Sequence, residues 1–138
     1  MSTASIADYM NKDFAIIKPD MLVVEASKKL IQKEMLGGPV VDDDGKLLGW
    51  ISEQECLQVT IQVVYYNQRV ATVSDIMSKE VLSVTAEQDP LELAQQMLKQ
   101  KPKSYPVVDK SNKVIGVINR RRILRMLLEK LEEISKPK

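Results

Sequence analysis

Pro39-Val40-Val41-Asp42 recurs as Pro106-Val107-Val108-Asp109, 67 positions further along the chain. The same displacement, without a gap, sets Ile6-Ala7-Asp8-Tyr9-Met10 on Val73-Ser74-Asp75-Ile76-Met77. It also sets Lys12 on Lys79, Glu25 on Glu92, Lys46 on Lys113, Gly49 on Gly116, Ile51 on Ile118 and Leu57 on Leu124. A register held over about fifty residues marks an internal duplication, so the chain is read as two copies of one unit.

Working outward from the Pro-Val-Val block, each copy has the same local grammar. The block is a strand, and Asp42-Asp43-Asp44-Gly45 or Asp109-Lys110-Ser111-Asn112 supplies turn chemistry. Leu47 to Ile51 and Val114 to Ile118 are the return strands. Upstream, Val24, Ala26, Leu30 and Ile31, and then Leu91, Leu93, Ala94, Met97 and Leu98, keep helical spacing. Gly37-Gly38 is expected to end the first of these helices and Pro102 the second. Phe14 to Ile17 and Val81 to Val84 are short β-prone runs before them. A further helix closes each copy, capped by Ser52 with Glu55 in the first and by Asn119 in the second. Val59 to Tyr66 is rich in β-branched and aromatic residues, but the capping box and the repeat make it helical. The expected organisation is repeat 1 over 1–66, a linker over 67–71 and repeat 2 over 72–138, in an α/β fold of tandem β-α-β-β-α units. Neither unit of about 60 residues buries enough surface to stand alone.

Composition narrows the function classes. The chain has 138 residues, 44% of them apolar and 28% charged, with a net charge of +1. That balance argues against a nucleic-acid binder. Histidine is absent and Cys56 is the single cysteine, which removes the commonest general base, the commonest zinc ligand and any disulfide within the chain. No phosphate-cradling glycine loop is present, and no enzyme, metal site or catalytic residue is expected. The opening Met-Ser-Thr-Ala-Ser-Ile lacks a signal-peptide pattern, and no apolar run approaches the roughly 20 residues of a membrane span. A cytoplasmic protein with no membrane association is the expectation.

A β-α-β-β-α unit with Pro-Val-Val-Asp, a turn, Gly-x-Ile and a capped helix resembles the CBS domain family. The resemblance runs from about Ile6 to Leu131, with Asp-Tyr-Met and Asp-Ile-Met matching the short helix that opens each repeat. It implies a pair folded about a pseudo-twofold axis, two clefts between the repeats that often hold adenosine-containing ligands, and dimerisation through helices. It implies a sensor or regulatory module and not a catalyst.

The resemblance also implies a site. Binding members carry Gly-x-x-Ser/Thr-x-x-Asp, whose aspartate accepts from both ribose hydroxyls. Here Gly49 to Glu55 keeps the serine, Ser52, with Glu55 in place of the aspartate. Glu55 is read either as a ribose acceptor or as the capping box alone. Gly116 to Arg122 has Asn119 and Arg122 instead, and a guanidinium offers a diol no acceptor. One cleft is therefore expected to hold the ligand. Ser52 and Glu55 would take the ribose, Lys103 and Arg121 the phosphate, and Val81 and Leu82 would flank the purine. The opposite cleft would pair Asn119 and Arg122 with Leu36, Gly37 and Glu53, and is expected to lack both a diol acceptor and a phosphate cation. Ion pairs with Glu53 and Glu55 are the other role open to the arginines.

The functional expectation is regulatory binding of AMP, ADP, ATP or another adenosyl ligand. The alternative is a structural dimerisation module that has lost its ligand. The stripe Ile123, Leu124, Leu127, Leu128, Leu131 and Ile134 points to a homodimer, and a separate regulated protein is a further possible partner. Met21, Met35, Met97 and Met126 are expected in the core, and Asp42-Asp43-Asp44 as a solvated turn.

Overall fold

The computed structural model describes residues 5–99 and 104–136. In chain order the first repeat holds α1 (Ile6–Tyr9), α2 (Val23–Gln32), β1 (Gly37–Val41), β2 (Leu47–Ser52) and α3 (Glu53–Tyr66). The second holds α4 (Val73–Ile76), β3 (Val84–Thr85), α5 (Pro90–Lys99), β4 (Ser104–Val108), β5 (Val114–Asn119) and α6 (Arg120–Ser135). Both hairpins form as the duplicated sequence requires. β1 pairs antiparallel with β2, and β4 with β5. The turns are built identically. Asp42 Oδ1 accepts from the N–H groups of Asp44 and Lys46, and Asp109 Oδ1 from those of Ser111 and Lys113. Gly45 (φ 83°) and Asn112 (φ 63°) take the left-handed position that follows, a conformation those residue types tolerate. Val59 to Tyr66 is helical, within α3.

Two expectations are corrected. Phe14 to Ile17 contributes an isolated parallel bridge, Ile17 to Val40, and no strand. Pro19 follows and has no N–H with which to extend a ladder. Its counterpart β3 pairs in parallel with β4, so the second sheet has three strands and the first has two. The Gly37-Gly38 pair does not end α2. Glu34 (φ 55°) takes the left-handed position, the Met35 N–H donates to the Leu30 carbonyl and the Glu34 N–H to that of Ile31, which closes a Schellman motif. The glycines begin β1 instead, where a Cβ on Gly37 would stand 2.7 Å from Trp50 Nε1. Pro102 lies outside the described residues; α5 ends at Lys99.

The repeats are interlocked by their opening helices, a feature the sequence did not announce. Ile6 of α1 is buried in the core of the second repeat, with Leu93, Tyr105, Ile118 and Met126. Val73 of α4 is buried in the core of the first, with Leu30, Val40 and Ile51. Met10 lies over Gly116, and Met77 over Gly49. Asn11 pairs its backbone with Val117, and Ser78 with Trp50. Full burial of a side chain such as Ile6 or Val73 contributes about 1.5–3 kcal/mol, so each repeat completes its core with a piece of the other. At the axis the hairpin tips meet symmetrically: Leu47 N–H donates to the Asn112 carbonyl, and Val114 N–H to that of Gly45. Among the described residues no helix is long and apolar enough to cross a membrane.

Candidate functional site

The closing helix of each repeat starts where a return strand ends, and its first residue is fixed by a cap. Ser52 Oγ accepts from the Glu55 N–H, while Glu55 Oε1 accepts from the Ser52 N–H and hydroxyl, both at 3.0 Å. Asn119 Oδ1 accepts from the Arg122 N–H at 2.9 Å. The start of α6 has no carboxylate equivalent to Glu55. Its first turn carries Arg120, Arg121 and Arg122 instead.

A cleft of about 550 Å³ opens between the repeats at this helix start. One wall is Asn119 and the arginines Arg120, Arg121, Arg122 and Arg125; the other is the stretch from Lys33 to Gly37. Ser104, Val117 and Asn11 form the floor. Five of these side chains are cations, and Glu34 is the single carboxylate among them. The positive end of α6 adds to the same field. Arg122 is half-buried, and its Nη1 donates to the Tyr9 carbonyl at 3.1 Å. Loss of water, and then the charge of Arg125, lower its pKa from the usual arginine value. It stays a cation, because guanidinium does not deprotonate in proteins.

The residues expected to bind are distributed as follows. Ser52 and Glu55 are engaged with each other in the capping box. Val81 is half-buried and Leu82 is exposed, just before β3. Lys103 lies outside the described residues. Arg121 lines the cleft that holds Leu36 and Gly37. The expectation that this cleft lacks a phosphate cation is overturned by Lys33, Arg120, Arg121 and Arg125, all of which line it. The triple arginine was visible in the sequence. Its convergence with Lys33 was not, because that depends on how the two repeats face each other. The alternative role of the arginines, ion pairs with Glu53 and Glu55, is not formed: the ion pairs among the described residues are Lys18 with Asp43 and Lys33 with Asp13. Cys56 is buried against α2; burial first, and then the charges of Glu55 and Glu53, push its thiol pKa up against an opposing hydrogen bond from Ser27. A protonated, enclosed thiol is a packing group and not a nucleophile. No cluster of metal-ligating side chains is found among the described residues.

Known proteins share this architecture. CBSX2 of Arabidopsis thaliana in complex with AMP superposes with a TM-score of 0.81 at 26% identity, over 94% of this chain and 99% of that one. The CBS domain pair of protein MJ0100, in complex with 5′-methylthioadenosine and S-adenosyl-L-methionine, gives 0.78 at 26% identity over 94% and 99%. The chloroplastic CBSX1 of Arabidopsis thaliana is 25% identical over 91% of this chain, which spans 64% of that protein's length. A homoserine O-acetyltransferase of Methanohalobium evestigatum is 32% identical over 94% of this chain, which spans 25% of that protein. The CBS domain model matches twice, at residues 6–61 and 73–129. With both matched segments coinciding with the two interlocked units, the chain belongs to the CBS domain family, as a tandem pair.

Proposed function

We propose that this chain is a regulatory module that binds an adenosine-containing nucleotide between its repeats: AMP, ADP, ATP or a related adenosyl compound. The carrying observation is the cleft at the start of α6, where four arginines and a lysine face a single carboxylate. A helix start with guanidinium groups suits phosphate oxygens, since both offer donors only. The AMP and adenosyl ligands of CBSX2 and MJ0100 support the same ligand class. Catalysis is not part of this reading; the module acts on its own assembly, as a homodimer, or on a separate regulated protein. A cytoplasmic setting fits the lone buried thiol.

Two placements of the ligand follow. In the placement favoured here, phosphates lie on Arg120, Arg121 and Lys33. In the second, read from the sequence, Ser52 and Glu55 take the ribose, Val81 and Leu82 flank the purine, and Lys103 with Arg121 takes the phosphate. The first is favoured because Arg120 and Arg121 make no ion pair among the described residues, whereas the Glu55 carboxylate is occupied by the cap; Lys33 joins them by leaving the Asp13 carboxylate with which it pairs.

Isothermal calorimetry and thermal shift with adenosine, AMP, ADP, ATP and S-adenosylmethionine test this. A phosphorylated ligand at 100 times its Kd stabilises by about 2.7 kcal/mol. Arg120→Glu is expected to weaken AMP strongly and adenosine little. No melting shift with any of the five at millimolar concentration would reject nucleotide sensing and leave the purely structural module.

A further inference from the structure

Among the described residues, Lys33 is the one cation lining the cleft that an acid already holds: its Nζ lies 2.6 Å from Asp13 Oδ1. Arg122 is tied as well, but to the neutral carbonyl of Tyr9, which leaves its charge in the cleft. Asp13 reaches Lys33 from the loop after α1, and that loop is fastened to the cleft floor. The Asn11 N–H donates to the Val117 carbonyl at 2.7 Å, and the Val117 N–H to the Asn11 carbonyl at 3.0 Å. Asn11 Oδ1 then accepts from the Asp13 N–H at 2.9 Å, which orders the backbone that presents the carboxylate. The Asp13 side chain is 84% exposed and that of Lys33 34%. A hydrated pair of this kind contributes little to stability and exchanges partners readily.

We infer that Asp13 is a built-in competitor for the phosphate and sets the affinity of the cleft for anionic ligands. While the pair holds, the carboxylate neutralises the Lys33 charge. Two anions on one ammonium repel each other, so a phosphate takes Lys33 from Asp13 and does not share it. The consequence is selection by charge. A neutral nucleoside offers Lys33 nothing and leaves the pair intact. Every ligand that takes Lys33 must first displace the carboxylate, and its affinity falls by that factor. Asp13 thus raises the ligand concentration at which the cleft fills, without touching the ligand.

The duplication carries this exchange on one side only. In the register of the repeat, Glu80 stands for Asp13, but Gln100 stands for Lys33 and Glu55 for Arg122. Glutamine has no charge for a carboxylate to neutralise and none to hand to a phosphate. An acid at this place is matched to a lysine only where the start of the closing helix is basic.

This inference rests on the cleft being the phosphate site proposed above and adds the residue that regulates it. Calorimetry with adenosine, AMP and ATP on the full chain tests it. Asp13→Asn keeps the backbone N–H that Asn11 accepts and removes the carboxylate charge. It should tighten AMP and ATP by roughly three- to five-fold and leave adenosine unchanged. Lys33→Gln should weaken AMP, and Asp13→Asn added to it should give no gain, because the competition acts through Lys33. Asp43→Asn removes the same charge from the other ion pair, Lys18 with Asp43, and should leave AMP unchanged. An Asp13→Asn chain no tighter for AMP than the wild type would overturn the competition while leaving the phosphate reading in place. So would a gain that persists with Lys33→Gln or that Asp43→Asn reproduces. No affinity for AMP or ATP in the wild type and in Asp13→Asn alike would overturn the phosphate reading, and this inference with it. Far-UV circular dichroism checks that each variant is folded.

Discussion

Arg122 donates from Nη1 to the backbone carbonyl of Tyr9, so the closing helix of the second repeat is tied to the opening helix of the first. The resemblance to binding members of the family implies a ribose-accepting carboxylate at the position this guanidinium holds. Arg122→Asp is expected to fold. The lost hydrogen bond costs about 1 kcal/mol, and an anion in the first turn of α6 returns about 0.3–1 kcal/mol. The variant gives the cleft an acceptor and reduces its positive charge. It is expected to bind adenosine measurably and ATP less tightly than the wild type does. Calorimetry with both ligands checks this; a folded variant with no affinity for millimolar adenosine would show that Arg122 is not what excludes the sugar.

The interlocking of the repeats predicts an asymmetry between two equivalent glycines. A Cβ on Gly49 would meet the Ser78 carbonyl oxygen at 2.6 Å and Met77 Sδ at 2.8 Å. A Cβ on Gly116 would meet Met10 Sδ at 2.6 Å and Cγ at 2.8 Å, with the backbone oxygen of Asn11 further off at 3.2 Å. A methionine side chain can rotate away, whereas a carbonyl in a bridge cannot. Gly49→Ala is therefore expected to cost about 3 kcal/mol and Gly116→Ala about 1 kcal/mol. Urea unfolding midpoints measure the difference, and equal losses would show that Met10 yields no more readily than the Ser78 carbonyl.

Those glycines also show where sequence reading stopped. The hairpins, the helix caps at Ser52 and Asn119 and the helical character of Val59 to Tyr66 depend on neighbours within a few positions, and all were legible. The Schellman end of α2 was not, because glutamate is an unusual occupant of the left-handed position and the following glycines drew the assignment. The burial of Ile6 in the second repeat and of Val73 in the first was out of reach. Both residues fit an amphipathic turn, and nothing local says which core receives them. The cleft follows the same rule. Its arginines stood out in the sequence as a triplet at a helix start, but their partner wall, Lys33 to Gly37, is set by the relation between repeats.

The first hairpin turn carries a pH dependence. The Asp42 carboxyl is held below the ordinary aspartate value, first by the Lys46 N–H, with the Asp44 N–H and the charges of Lys46 and Lys18 adding to it against the opposing effect of burial. A carboxyl whose pKa is lower folded than unfolded favours folding above its unfolded pKa, and that contribution is lost as pH falls through the folded value. Wild-type stability is thus expected to decline between about pH 5 and pH 2 more steeply than that of Asp42→Asn, whose side-chain oxygen still accepts both N–H groups but does not titrate. Urea midpoints across that range check the slope; parallel curves would mean that the turn does not contribute to acid sensitivity.

Glu55 separates capping from ligand binding. Its Oε1 accepts from the Ser52 N–H and hydroxyl, while Ser52 accepts in return from the Glu55 N–H. Glutamine serves the same position in a capping box, because its carbonyl oxygen accepts the same bonds. Glu55→Gln is therefore expected to change stability by no more than about 0.5 kcal/mol, the part owed to a negative charge near the helix start. Ser52→Ala removes the reciprocal cap and should cost about 1 kcal/mol. With the phosphates assigned to Arg120, Arg121 and Lys33, neither change should alter the affinity for AMP. A ribose held by Glu55 would behave otherwise, since an amide presents one acceptor where a carboxylate presents two, and a diol needs both. Calorimetry with AMP on Glu55→Gln decides between them. Unchanged affinity with unchanged stability leaves Glu55 as a cap, whereas a loss of roughly ten-fold at unchanged stability moves the sugar to the first repeat and, with it, the purine to Val81 and Leu82.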